Sequence, residues 1–485
     1  MRFKTNDIEP AIASVKKALA DEPNLSPALT GALETLLLLV SLLLSRLELD
    51  SHNSSTPPSA DPNRAKTRRR GRSTRRPGGQ PGHPGTTLTP VDDPDAIVDR
   101  PLDLRTLPTG RGWRLGGFET RQVFDVVLRR EVTEYRAEVW VEETGQRHVA
   151  AFPAHVKSRV QYGPTCKAHA VYLSQGQLLP YERVRETFAD QLGLPLSAGT
   201  LANFNREAFE RLAAFEQAIK PVVADPALLH VDETGINIDG ARVWLHTAGN
   251  TRLTHYAVHG KRGQQAMDDT GILPCFTGVL CHDHWKPYYR YTDCQHALCN
   301  AHHLRELERA AEQDGQVWAQ TMQTMLRDIQ AATEAAGGAL APDAAQRWRA
   351  RYRQVLADGE VECPAPAAPA SGPRRKGRLK RSKARNLLER LRDYEADALR
   401  FMDQVIVAFT HNRGERDIRM TKVQQKISGC FRSWDGARIS CRIRGYLSTC
   451  RKNGVTASEA LALIYQGQHP AFMRDGTLLG DGGAE

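Results

Sequence analysis

Apolar and polar positions along this chain alternate between two periods, and the places where the period changes mark its elements. Ser26-Pro27 reads as a helix start, a side-chain cap followed by proline in the first turn. Leu29, Leu33, Leu36, Val40, Leu43 and Leu47 then recur at 4-3-4-3-4 spacing. That spacing fits a heptad seam for a second copy of the chain, or the buried face of an amphipathic helix, which Leu37, Leu38 and Leu39 would widen. Arg121–Val126 and Val132–Trp140 alternate apolar and polar residues and predict strands. Residues 160–220 read as helical, with a turn at Leu192–Ser197 and Ser197 as cap of the next helix; so short a signal fits a plain helical hairpin better than a helix-turn-helix.

Short apolar runs follow. Leu228–Val231, Arg242–Thr247 and Leu253–Val258 predict three closely connected strands, and Gln264–Asp269 a short helix. Gly278–Asp283 and Ala297–Cys299 predict two more strands, then a helix over Ala301–Gln313. From about 315 to 400 the chain is rich in Ala, Arg and Glu and reads as a helical insertion, interrupted at Pro364–Pro373. Leu391, Tyr394, Ala398, Met402, Val405 and Phe409 then fall on one helical face leading to Glu415.

Composition adds a substrate class. The 485 residues carry a net charge of +10, much of it clustered. Arg64–Arg76, with Arg68, Arg69, Arg70, Arg72, Arg75 and Arg76, and Arg374–Arg385 are cationic runs without an acidic residue, suited to phosphates or to a solvated linker. No secretory leader is expected after the polar opening MRFKTNDIEP. The longest apolar stretch, Leu36–Leu44, is too short to cross a bilayer. A reducing cytoplasm with its nine cysteines free is the expected setting.

Three carboxylates stand out against this pattern. Asp232 stands at the centre or end of an apolar strand, Asp283 ends another, and Glu415 opens an Arg-rich helix. A carboxylate in an apolar strand is costly unless it is paired or metal-bound. Glu233 faces the other side of its strand, so Asp232 is the expected ligand. Each site has a plainer reading: an ion pair for Asp283 near His282, His284 and Lys286, and a capping box with Asn412 for Glu415. Together they suit two Mg²⁺ ions, or Mn²⁺, about 3.5–4 Å apart at a phosphodiester. Arg416, Arg419, Lys422, Gln424 and Lys426 on the helix that follows Glu415 would meet DNA phosphates or form a solvated face; Trp244 and Trp285 read first as core, with Trp285 the better candidate for a contact near the cut. The crowd of Cys281, His282, His284, Cys294, His296, Cys299, His302 and His303 offers a rival Zn²⁺ reading but lacks paired knuckle spacing; His302 would face the Mg²⁺ site or DNA.

At these residues the chain resembles the insertion sequence 66 family of transposases, in the Asp-Asp-Glu class. RPGGQPGHPG at 76–85 is similar to the family's linker signature. RQVFDV with VTEYRAEV is similar to its small zinc-binding domain. HVDET, LCNAHHLREL, GERDIRM, KVQQKISGCFRS and CRIRGYLSTCRKNG are similar to its catalytic and C-terminal segments. The resemblance maps Asp232, Asp283 and Glu415 onto the catalytic triad. The strand order already suggests an α/β fold of ribonuclease H-like type; the resemblance implies the same core with its helical insertion.

The expected order is an N-terminal helix (1–50), a basic linker (51–95), a small β-rich domain (96–155), a helical DNA-binding-like region (156–224), the catalytic domain (225–430) and a C-terminal helical segment (431–485). The implied activity is metal-dependent cleavage at transposon ends, then strand transfer into target DNA. The implied partners are double-stranded DNA, a second or further copy of the chain, and accessory transposition proteins; the implied location is the bacterial cytoplasm at the nucleoid, with no membrane contact. A decayed DNA-binding relative and a structure-specific nuclease without strand transfer are the alternatives. Pro101–Gly117 and Glu142–His148 contain no Cys, so the family's zinc site is not expected here. His411-Asn412 stands where the family has Asn-Asn, and Asn412 is expected to cap the Glu415 helix.

Overall fold

The computed structural model describes residues 88–366 and 381–474, together with residues 14, 15, 21, 26, 29–33, 35–37, 39 and 40. The chain divides into two compact units. One takes in Met1–Glu48, Pro62–Glu134 and Gln191–Gly193, the other Leu49–Asp61, Tyr135–Asp190 and Leu194–Glu485.

In the first unit the Leu29 N–H donates to Ser26 Oγ at 3.3 Å, the expected helix cap. Of the seam, Leu29 and Leu36 are exposed while Leu33 and Val40 are half-buried. Leu43 and Leu47 lie outside the described residues, as do Arg68, Arg69, Arg70, Arg72, Arg75 and Arg76. Arg121–Val126, expected as a strand, is not one: it has no ladder partner, and Val123 is 91% exposed. Alternation sets out two faces, but a strand also needs a neighbour for its backbone and a layer to cover one face.

In the second unit only the end of the second expected strand forms. β1 (Val139–Val141) pairs antiparallel with β2 (Arg147–Val149), and all six residues are exposed. The helical stretch is α1 (Pro164–Val171), α2 (Tyr181–Leu192), α3 (Ala198–Arg211) and α4 (Ala213–Ala224). Ser197 caps α3 as expected, accepting from the Thr200 N–H at 2.9 Å.

The centre is a mixed five-stranded sheet of β3 (Leu228–Ile238), β4 (Ala241–Gly249), β5 (Thr254–His259), β6 (Val279–His282) and β7 (Gln295–Leu298), in the order β5-β4-β3-β6-β7. β3, β4 and β5 are antiparallel; β6 and β7 run parallel to β3. Pairing of Ile238 with Ala241 leaves Asp239 and Gly240 as a two-residue hairpin loop. Their φ values of 49° and 76° are those of a type I′ turn, which Asp-Gly favours. α5 (Gln264–Thr270) follows β5, and α6 (Asn300–Asp314) follows β7. The insertion is α7 (Val317–Ala335), α8 (Pro342–Glu362), α9 (Lys383–Asp393) and α10 (Glu395–Leu399). The chain returns through α11 (Asn412–Ile427) and ends in α12 (Trp434–Lys452) and α13 (Ala457–Tyr465).

Two apolar clusters cover the sheet. Trp318, Met322, Leu326, Tyr352 and Leu388 of the insertion pack with Val279, Cys281 and Ala297 of β6 and β7. Ile418 of α11 and Ala437 and Cys441 of α12 pack with Ile236, Ile238, Val243, Leu245 and Tyr256 of β3–β5. Each large side chain so buried contributes about 1.5–3 kcal/mol.

Two expectations for the insertion need correction. The residues from Leu391 to Phe409 do not share one helix: the backbone breaks at Tyr394 (φ −121°), and Val405 is 67% exposed. The second basic run is in part structural. Residues 374–380 lie outside the described residues, but Arg381 pairs with Glu389, and Arg385 joins Glu389 at 3.0 Å and also pairs with Glu360. Arg385 is 4% exposed. Acidic residues four positions on and across on α8 therefore take charges that the run alone offered to phosphate. Among the described residues no helix is long and apolar enough to cross a membrane.

Arg385→Ala removes the one buried cation from buried Glu389, which still meets Arg381, and from partly exposed Glu360, which still meets Arg392. It should cost about 3–5 kcal/mol of stability in urea unfolding; a loss below about 1 kcal/mol would show the cluster to be peripheral.

Candidate functional site

β3 runs on to Ile238, so Asp232 lies within the strand, opposite Thr247 of β4, and does not end it. Even-numbered residues of β3 face α11, as Ile236 and Ile238 do against Ile418. Glu233 points the other way, as expected. It is buried, accepts from Arg262 Nη2 at 2.7 Å and Nε at 2.9 Å, and accepts a short hydrogen bond from the Tyr288 hydroxyl. Arg262 in turn lies between two rings, 4.7 Å from Trp244 and 4.2 Å from Trp285. Trp285 is thus engaged within the protein, in keeping with the core reading given to both tryptophans.

Asp283 follows the last residue of β6. Its Oδ1 accepts the Trp285 N–H at 3.0 Å, closing a turn over His284. His284 has φ +77°, a region that a side chain other than glycine seldom adopts. Backbone strain of this kind persists where the surroundings hold it, often at a functional site.

Glu415 sits in the first turn of α11, but the expected capping box is absent. The helix starts at Asn412 and His411 occupies the cap position without a cap bond from its own side chain, so Glu415 stands four residues past the cap where a box needs three. The Glu415 N–H makes an ordinary helical bond to the His411 carbonyl at 3.2 Å. Its carboxylate instead meets Arg305 Nη2 of α6 at 2.9 Å and lies 3.7 Å from His302 Nδ1.

Asp232 feels the charges of both other carboxylates. Burial, followed by the charges of Glu233 and Asp283 and a smaller push from Glu415, holds the Asp232 carboxyl well above the usual range. Glu233 is pushed up to about 7 by burial and by Asp283, against the pull of Tyr288 and Arg262. Lys422 lies near enough for Asp232 to support its charge, while burial and Arg242 lower its pKa. Glu415, Arg419, Lys422 and Lys426 recur at 4-3-4 spacing and share one stripe of α11. Arg419 and Lys426 are exposed on it, Lys422 is half-buried, and exposed Arg416 lies beside it.

Among the described residues, two donor sets have one ligand atom from each member within 4.8 Å of the others: Cys299–His302–Glu415, and His230–Cys281–His411. The three carboxylates do not form such a set. Ligands on opposite sides of an ion pair about 3.5–4 Å apart are spaced more widely than ligands of one ion. Much of the Cys/His crowd is held by hydrogen bonds: His282 to His296 at 3.1 Å, His296 to the Tyr291 carbonyl at 3.1 Å, and His303 to Asn300 at 3.0 Å. Arg305, Arg262 and the His284 backbone escaped the sequence reading. Only the motif around Arg305 gave a signal, three residues after His302 on a helix.

Residues 159–439, more than half of the chain, match the family model described as Transposase IS66 family. The chain belongs to that family. The IS66-family match spans the whole sheet and the first turn and body of α11, hence all three carboxylates. Membership makes the chain a transposase, an enzyme that acts on nucleic acid. Residues 7–89 match a second model, described only as a family of unknown function. No curated protein matches the chain.

Arg262→Ala should destabilise the fold by about 2–3 kcal/mol in chemical denaturation, at the low end for breaking a buried pair because Arg262 is partly exposed. Adding Glu233→Gln should recover most of that loss; a double variant no more stable than the single one would show that the aromatic stacking, not the ion pair, carries the effect.

Proposed function

We propose that this IS66-family chain is an Asp-Asp-Glu transposase with a ribonuclease H-like core, cleaving DNA at transposon ends and joining the freed 3′ ends to target DNA. The observation that carries the reading is the convergence of Asp232, Asp283 and Glu415 from β3, the end of β6 and α11, close enough for the charges of Asp283 and Glu415 to raise the Asp232 pKa. Three antiparallel strands followed by two parallel ones, with Asp232 on the central strand and Asp283 beyond its parallel neighbour, support the core assignment.

The donor set fits Mg²⁺, or Mn²⁺. All three groups offer oxygen, the ligand of hard cations, and their mutual repulsion is relieved by positive charge. Asp232 and Asp283 would hold the metal from the sheet and Glu415 from α11. The bound ions would supply an activated oxygen nucleophile and stabilise the departing oxygen. The chain's own residues do the rest. Arg305 pairs with Glu415 and balances its charge until a metal takes that place. Lys422 offers a cation beside Asp232, and Arg416, Arg419 and Lys426 extend the cationic stripe for the DNA backbone. The basic segment Arg64–Arg76 adds phosphate contacts without base readout. Synapsis of two ends calls for at least two copies, and the leucine seam is one means of joining them.

Asp232→Asn should lower Mg²⁺-dependent cleavage about a thousandfold, the equivalent of roughly 4 kcal/mol of transition-state stabilisation, with DNA affinity nearly unchanged. Cleavage at the parental rate would sink the assignment, and cleavage without joining to a second duplex would select the nuclease reading. Arg305→Ala removes a half-exposed competitor for Glu415, so Mn²⁺ affinity by calorimetry should rise up to about fivefold, the worth of a surface pair. Weaker Mn²⁺ binding would mean that Arg305 is needed to present the carboxylate.

A further inference from the structure

Beneath the three carboxylates lies a second layer built from the same three elements. His230 is two residues before Asp232 on β3, Cys281 two before Asp283 on β6, and His411 four before Glu415 at the start of α11. Two residues along a strand and four along a helix return to the same face. Each carboxylate therefore has a Cys or His partner one step deeper. His230 and Cys281 are direct neighbours across the parallel β3–β6 pair. His411 reaches them from above, its Nδ1 2.9 Å from His230 Nδ1. One ligand atom from each of the three lies within 4.8 Å of the others. His230, Cys281 and His411 are 5%, 2% and 1% exposed.

We propose that His230, Cys281 and His411 form a closed structural site for a borderline-soft divalent cation of the Zn²⁺ class, separate from the oxygen-lined layer above it. Two imidazoles and a thiolate are ligands that Zn²⁺ accepts and Mg²⁺ does not favour. Two facing ring nitrogens with a sulfur beside them match a coordination set better than an apolar core. Moreover, His411 Nε2 is buried without a hydrogen-bond partner, so hydrogen bonding alone does not satisfy this ring. The ring lies over Gly414, where a Cβ would come within 2.0 Å of Nε2, so the glycine leaves it room. Cys299 provides a further sulfur at hand for a fourth position: it follows β7, the parallel neighbour of β6, and its Sγ accepts the His411 backbone N–H at 3.1 Å. A cation here would cross-link β3, β6 and α11 directly under the proposed catalytic residues and fix their spacing. That consequence rests on the proposed function; the binding of the cation does not.

The test uses the full-length protein. After purification and dialysis against a mild chelator, elemental analysis should find about one zinc per chain. Replacement by Co²⁺ should produce a thiolate-to-Co²⁺ charge-transfer band in the near ultraviolet. Cys281→Ser and His411→Asn should each lose the zinc and the band, while Asp232→Asn and Asp283→Asn should keep both. A folded parental protein, verified by circular dichroism, that retains no zinc and shows no such band on Co²⁺ titration would overturn the site. So would zinc that survives Cys281→Ser but is lost in the carboxylate variants, which would place it in the upper layer. Neither result would affect the cleavage assay of Asp232→Asn, so failure here and failure of the transposase mechanism are separable.

Discussion

The repulsion that buried Asp232 feels from Glu233 and Asp283 of the sheet region and from Glu415 of α11 is the constraint around which the rest of this molecule is arranged. Asp232 lies within a strand whose neighbours are buried, and Asp283 and Glu415 add negative charge where water cannot fully screen it. Nothing in an apolar core favours that arrangement, so the packing around it must compensate. α11 is held down on β3 by Ile418, and the insertion is held on β6 and β7 by a large cluster that includes Trp318, Tyr352 and Leu388. Arg305 and Lys422 bring positive charge to the rim of the site. The stability drawn from apolar burial elsewhere is what tolerates an acidic centre.

The sheet also separates two kinds of chemistry. On the α11 face each carboxylate has His230, Cys281 or His411 one step back along its own element, and Glu415 also neighbours Cys299 and His302. On the opposite face Glu233, one residue from Asp232, is tied to Tyr288 and to an Arg262 held between two tryptophans. Adjacent acids thus have different roles because strand residues alternate in direction. The turn at His284, with its unusual φ, directs the chain out of β6 just where Asp283 must face the site.

The central strands were legible because their apolar runs are short and bounded, although the first runs on past Val231 to the Asp239-Gly240 hairpin, a turn signal that went unread. Arg121–Val126 misled for the complementary reason: alternation is necessary for a half-buried strand but does not supply the neighbour that completes it. The second basic run misled because charge counting ignores partners distant in sequence, here Glu360 on α8. Glu415 was readable as a residue of interest, yet its local excuse, the capping box, dissolved once the helix was seen to begin one residue earlier than a box requires.

By itself the sequence determined the family, the order of the central strands, the side of β3 on which Asp232 lies, and the three acids worth following. These depend on local periodicity and on motifs, which are properties of neighbouring residues. Tertiary structure alone decided that Arg305 meets Glu415, that Arg262 serves Glu233, that Arg385 is structural, and that His230, Cys281 and His411 share one buried point. Each of those contacts joins residues between about 25 and 180 positions apart. Their proximity follows from how the sheet is ordered and how α11 returns to it, and no local pattern of side chains encodes that return.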